Sequence, residues 1–229
     1  MNRKILLIQP TIYDERGEPV KKSKLYFVGL GMPLLAALLP EGWTADICIE
    51  TIEDIPWDTD ADVIGLGGMG HAANRAKDIA TEFKRRGKTV VMGGPMVSLV
   101  PELAAEYCDA VVIGDAEETI VELCHDLENG VLKPRYADKV KGTLITPLPR
   151  YDLVVGKRIG DFLPVQAGRG CPHTCKFCSI YCLFRGHYAR RPVDDVIRDI
   201  QAIKDLGFSK FLLIDDNIVQ CVPGGPIGW

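Results

Sequence analysis

Five short apolar runs that alternate with stretches of helical spacing constrain this chain more than any other feature. They are Lys4–Gln9, Thr44–Glu50, Asp62–Gly67, Lys88–Met92 and Ala110–Gly114. Runs this short and this continuously apolar read as strands buried on both faces, the pattern of a parallel sheet covered by helices. The helical segments between and after them are Gly31–Leu39, stopped by Pro40 and Gly42, then Ala72–Arg86, Pro101–Tyr107 and Ala116–Glu128. In Ala72–Arg86 the apolar residues fall at Ala76, Ile79, Ala80 and Phe83, one face of a helix, with Gly87 as its stop. Five β/α units follow from this alternation.

That size and order predict a flavodoxin-like, doubly wound α/β domain with strand order 2-1-3-4-5. Such folds take ligands outside the carboxyl ends of the strands, between the first and third. In this chain those ends are the Gln9–Tyr13 loop and the turn Gly67-Gly68-Met69-Gly70-His71, the richest glycine turn in the sequence. We divide the chain into a first domain over 1–135, a linker over 136–162 and the opening of a second unit over 163–229. Pro134, Pro147 and Pro149, with Gly142, Gly156 and Gly160, break every periodicity in the middle stretch, which reads as a linker with a short hairpin. Beyond it come a strand at Leu163–Ala167, a helix at Pro192–Leu206 and a strand at Lys210–Asp215. The helix should bury Val193, Val196, Ile197, Ile200 and Ile203.

Composition excludes several functions. Lys and Arg number 27 against 31 Asp and Glu, a net charge of −4, which provides no basic field for a nucleic-acid backbone. No apolar run reaches the ~18 residues of a membrane span, and the N-terminal apolar segment lacks a signal-peptide cleavage site. A cytoplasmic protein is expected. Four of the eight cysteines crowd between Cys171 and Cys182, which suggests metal or redox chemistry in a reducing compartment rather than a disulfide framework. Cys48, Cys108 and Cys124 read as core packing.

The cluster Cys171-Pro172-His173-Thr174-Cys175-Lys176-Phe177-Cys178 has the spacing C-x3-C-x2-C, with an aromatic before the last cysteine. Three thiolates on one short loop can hold three corners of a cubane iron–sulfur cluster and leave the fourth iron open to a ligand. A zinc knuckle with His173 or Cys182 as fourth ligand is the competing reading, although no second ligand pair is evident in the sequence.

This segment resembles the radical S-adenosylmethionine (SAM) superfamily, whose signature sits at the end of the first strand of a partial β/α barrel. The resemblance implies a 4Fe–4S cluster on Cys171, Cys175 and Cys178, SAM chelated to the open iron, and its reductive cleavage to a 5′-deoxyadenosyl radical. It implies a SAM contact at Phe177 and others at Asp215, Asp216 and Asn217, where the superfamily often has Gly-Gly-Glu. The N-terminal part resembles the cobalamin-binding domain that precedes such barrels. The resemblance there rests on the Gly67–His71 turn, on Gly93-Gly94-Pro95 and on the segment Asp109–Glu118. It implies cobalamin contacts at Thr11, Gly67, Gly68, Met69, His71, Gly93 and Gly94. The loop after the first strand, Pro10-Thr11-Ile12-Tyr13-Asp14-Glu15, lacks the histidine of the Asp-x-His-x-x-Gly motif, so a cobalt without a histidine ligand is expected. The family includes methylases and ring-forming enzymes that act on small molecules and draw electrons from a flavodoxin or ferredoxin. A full barrel takes roughly 200 residues or more, so the stretch from Cys171 to Trp229 reads as its incomplete opening. A non-catalytic cobalamin-binding fragment is therefore the alternative to an enzyme.

Overall fold

The computed structural model describes residues 3–68, 70–137 and 144–218. Met69 and the stretch from Val219 lie outside the described residues. The first domain runs β1 (Arg3–Gln9), α1 (Gly31–Leu38), β2 (Trp43–Ile49), β3 (Val63–Gly67), a 3₁₀ turn (Gly70–Ala72), α2 (Ala73–Arg85) and β4 (Thr89–Gly93). It continues with α3 (Pro95–Leu99), α4 (Pro101–Ala105), β5 (Ala110–Ile113), α5 (Thr119–Asn129) and β6 (Arg135–Ala137). All strands pair in parallel in the order β2-β1-β3-β4-β5-β6. The expected 2-1-3-4-5 core is present, with a sixth strand added at the β5 edge.

Burial explains the apolar runs. Ile5, Leu6, Leu7 and Ile8 of β1 are all buried, and alternate residues feed cores on opposite faces of the sheet. One face is covered by Ala76, Ile79, Ala80 and Phe83 of α2 with Val97 and Ala104. The other receives Leu123, Cys124 and Leu127 of α5 and continues without a break into Tyr151, Val154, Leu163, Val165 and Ile203. The first domain and the second unit thus share a core.

Several local expectations need correction. The linker holds no hairpin among its described residues: β6 pairs in parallel with β5 and crosses the expected boundary at 135. It is fixed by Tyr136, whose buried hydroxyl donates to Asp126 at 2.8 Å. The remaining linker is docked through α6 (Asp152–Val155), where the buried Tyr151 hydroxyl donates to the Pro164 carbonyl at 2.7 Å. After it come β7 (Phe162–Val165), β8 (Gly168–Gly170), α7 (Ser179–Phe184), β9 (Tyr188–Arg190), α8 (Val193–Asp205) and β10 (Lys210–Leu213). β7 pairs in parallel with β10, and β8 with β9 antiparallel. The expected strand Leu163–Ala167 is present as β7, ending at Val165, and the glycine stretch after it forms a separate short strand, β8, which with β9 flanks the cysteine loop and α7.

The face of α8 also differs from its apolar periodicity. Val196 and Ile203 are buried, but Val193 and Ile197 are exposed, while Asp199 is fully buried. Asp199 is held there by Arg191 at 2.8 Å and Arg198 at 2.9 Å, so a paired charge takes a core position outside the expected apolar face.

Candidate functional site

The carboxyl ends of β1, β3 and β4 lie side by side. The two glycine turns beyond β3 and β4 pack directly on each other: a Cβ placed on Gly94 would sit 3.5 Å from the Gly68 amide nitrogen, and one on Gly67 would sit 2.9 Å from the Met32 side chain. Gly94 has φ +93° and ψ −175°, a conformation open to glycine alone. Gly67, Gly68, Gly93 and Gly94 therefore form one platform of backbone at the sheet edge where doubly wound folds bind ligands. His71 is exposed on the 3₁₀ turn that opens α2.

Thr11 plays a different local part. It is buried, its N–H donates to Glu50 at 2.9 Å and its hydroxyl donates to the Val20 carbonyl at 2.8 Å. The Glu50 carboxylate, 1% exposed at the end of β2, also takes Arg75 at 2.5 Å. Arg75 reaches the Tyr13 hydroxyl at 3.2 Å, and Tyr13 donates to Asp78 at 2.5 Å. Burial and the Asp78 carboxylate push the Tyr13 phenol above its usual value. This network locks the loop after β1 and has no local signature, because Glu50 looks like an ordinary strand-end residue in the sequence.

The cysteine loop leaves β8 and enters α7. Cys171, Cys175 and Cys178 are free thiols; the first and last are half-buried and Cys175 is exposed, as is Cys182 on α7. The Cys178 amide donates to the Cys175 carbonyl at 3.1 Å, folding the loop into a turn. Among the described residues no three His, Cys, Asp or Glu side chains converge tightly enough to hold a metal ion, so the thiols stand along the loop rather than clasped to a point. Three thiols free of disulfides on one short loop are a donor set that suits an iron–sulfur cluster. Phe177 is 93% exposed beside them.

Residues 215–217, beyond β10, reach this loop. Asp215 accepts the Ala167 amide at 2.7 Å and Asp216 accepts the Gly170 amide at 2.8 Å. The Asn217 amide donates to the Cys171 sulfur at 3.4 Å. Burial pushes the Asp215 carboxyl up, against the backbone amides of Ala167 and Gly168 that favour its charge. These three residues thus grip the strand that presents the cysteines. The helix that follows the loop packs on the first domain, α7 against α3.

Comparison with known proteins agrees with this arrangement. A family model described as B12 binding domain matches residues 20–124. The chain carries a B12-binding domain. It is 36% identical over 167 residues to bacteriochlorophyllide d C-8(2)-methyltransferase of Chlorobaculum tepidum, a match covering 69% of this chain and 36% of that protein. It is 26% identical over 202 residues to hopanoid C-2 methylase of Rhodopseudomonas palustris, covering 82% of this chain and 37% of the relative. The fold superposes with a TM-score of 0.69 on the radical S-adenosylmethionine methyltransferase TsrM from Kitasatospora setae. That match is 16% identical and covers 93% of this chain and 48% of the other. The chain thus spans between about a third and a half of the length of these proteins. The α/β fold expected for a B12-binding domain is borne out, and the units after it share the fold of the corresponding part of the TsrM structure.

Proposed function

We propose that this chain is the cobalamin-binding and cluster-bearing part of a B12-dependent radical SAM methyltransferase. The observation that carries the reading is the cysteine turn, with its three free thiols, held against the glycine-platform domain by the α3–α7 contact. The relatives' names support methyl transfer as the outcome. Cys171, Cys175 and Cys178 would hold the 4Fe–4S cluster. When bound, the cofactors supply reductive cleavage of SAM to a carbon radical and a carrier for the methyl group.

Gly67, Gly68, Gly93 and Gly94 present bare backbone to the cobalamin tail, with His71 on the turn that opens α2. Phe177 offers an exposed ring face for the SAM adenine. Asp215 and Asp216 hold the Ala167 and Gly170 amides and Asn217 the Cys171 sulfur, at the strand end where the SAM amino group binds in the superfamily. Thr11 shapes the loop facing the corrin through its bonds to Glu50 and Val20. The substrate is a small molecule, and a flavodoxin or ferredoxin supplies electrons. No helix among the described residues is long and apolar enough to cross a membrane, and we place the protein in the cytoplasm, where its thiols stay reduced.

Anaerobic reconstitution with iron and sulfide tests this reading. A 4Fe–4S spectrum that is lost in Cys171→Ala, Cys175→Ala and Cys178→Ala, with 5′-deoxyadenosine formed from SAM and reductant, supports it. Cobalamin binding with no cluster would overturn the enzyme reading and leave a cobalamin-binding fragment.

A further inference from the structure

β8 is Gly168-Arg169-Gly170, so Arg169 is the only side chain on the strand that delivers Cys171. It does not face solvent: the side chain is 12% exposed. Its guanidinium reaches out of its own unit into the turn between β5 and α5 of the B12-binding domain. There Nη1 meets Asp115 at 2.8 Å and Nη2 meets Glu117 at 2.8 Å. The remaining donors hold the Gln166 side-chain oxygen, from Nε at 3.3 Å and Nη2 at 3.0 Å. One planar fork therefore joins two carboxylates of the first domain to the turn that precedes the cysteine loop.

The backbone on either side of Arg169 has no room to yield. A Cβ on Gly168 would collide with the Tyr188 hydroxyl, and one on Gly170, at φ +85°, with the His187 carbonyl. Asp215 and Asp216 fix the amides of Ala167 and Gly170. A displacement of the Asp115–Glu117 turn relative to Arg169 is thus passed to Cys171, two residues on, rather than absorbed between them. A buried arginine with two carboxylates is a poor source of net stability, since desolvating three charges offsets most of their attraction. Its fixed geometry is what it contributes.

We propose that Arg169 is a positioning residue that ties the cysteine loop to the B12-binding domain and sets the placement of one cofactor site relative to the other. The proposal rests on the reading of Cys171, Cys175 and Cys178 as cluster ligands, and one arm of its test is independent of that reading. In the chain without cofactors, hydrogen exchange is compared for wild type, Arg169→Lys, Arg169→Gln and the double variant Asp115→Asn/Glu117→Gln. Opening of the amides of 166–178 should become about tenfold easier or more in Arg169→Gln and in the double variant, with β1, β3 and α2 unchanged. Arg169→Lys, which keeps the charge but not the fork, should fall between. A uniform rise across the molecule, as from a merely structural residue, or no change at 166–178, overturns the proposal. In the second arm, protein loaded with both cofactors is reduced, and the magnetic broadening between cob(II)alamin and the cluster is measured. Arg169→Gln should alter the broadening at unchanged cofactor content; identical broadening overturns the proposal. Failure of wild type to take up a cluster would overturn the cysteine assignment instead, and the exchange arm would still decide whether Arg169 ties the two units together.

Discussion

Replacing Glu50 with alanine should destabilise the first domain more than its place at a strand end suggests. The carboxylate is buried and is the partner of both Arg75, at 2.5 Å, and the Thr11 amide, at 2.9 Å. Removing one member of a buried ion pair costs about 3–5 kcal/mol, because the other charge is left uncompensated. The Arg75 side chain keeps 15% of its exposure and stacks over the Tyr13 ring, so water can take up part of the loss and the lower end applies. The orphaned Thr11 amide adds to it, and the two losses overlap, giving about 3–4 kcal/mol in all. For a chain of this size each kcal/mol lowers Tm by about 2–4 °C, so Glu50→Ala should melt roughly 6–16 °C below wild type. Thermal and urea unfolding of the cofactor-free protein, followed by circular dichroism, measures this. Arg75→Met and the double variant complete the cycle, and the double variant should recover part of the loss, since it removes both charges together. A Glu50→Ala loss below about 0.5 kcal/mol, the range of an ordinary surface substitution, would refute the assignment of a buried pair that locks the loop.

Three further outcomes are expected. Burial pushes the thiols of Cys48 and Cys124 up to about 12 and that of Cys108 up to about 11, so at pH 8 their thiolate fractions are on the order of 10⁻³ to 10⁻⁴. Mass spectrometry after iodoacetamide treatment of the folded, cluster-free protein should find Cys175 and Cys182 modified and these three spared, and early modification of Cys124 would contradict the packing. Gly94→Ala forces a side chain into a glycine-only conformation at a cost of about 1–3 kcal/mol; it should lower Tm and weaken cobalamin binding, whereas Gly31→Ala, with open space around its Cβ, should leave both within experimental error. The loop after β1 carries Thr11 and Tyr13 and no histidine, and His71 lies on the turn after β3; the cob(II)alamin spectrum should therefore lack nitrogen superhyperfine coupling, and its presence would place a protein nitrogen on cobalt.

The sheet was legible in the sequence because buried parallel strands write themselves as unbroken apolar runs, and α2 because its apolar residues keep helical spacing. What escaped has little pattern to carry. β6 is three residues long and only Tyr136 of it is buried. α3 begins at Pro95 directly after a glycine pair and spans barely more than a turn. β8 holds two glycines and one arginine, so neither hydrophobicity nor propensity marks it as a strand. Asp199 joins Val196, Ile200 and Ile203 on the buried face of α8 and leaves Val193 and Ile197 outside, because its burial depends on Arg191 and Arg198 rather than on any apolar period. The same limit applies at the site. The cysteine spacing is local and was readable, whereas Arg169 meets Asp115 and Glu117 only through the packing of two units distant in the chain. Residues 215–217 were placed near the cluster loop from the sequence, but their grip on the Ala167 and Gly170 amides is tertiary.

On this reading one chain holds both cofactors. The most direct test is the metal and cobalamin content of a single anaerobically reconstituted preparation, measured beside the Cys171→Ala/Cys175→Ala/Cys178→Ala variant. Wild type should contain one cobalamin with four iron and four sulfide per chain, and the variant should keep the cobalamin and lose the iron. Zinc in place of iron, or iron retained in the triple variant, would contradict the account.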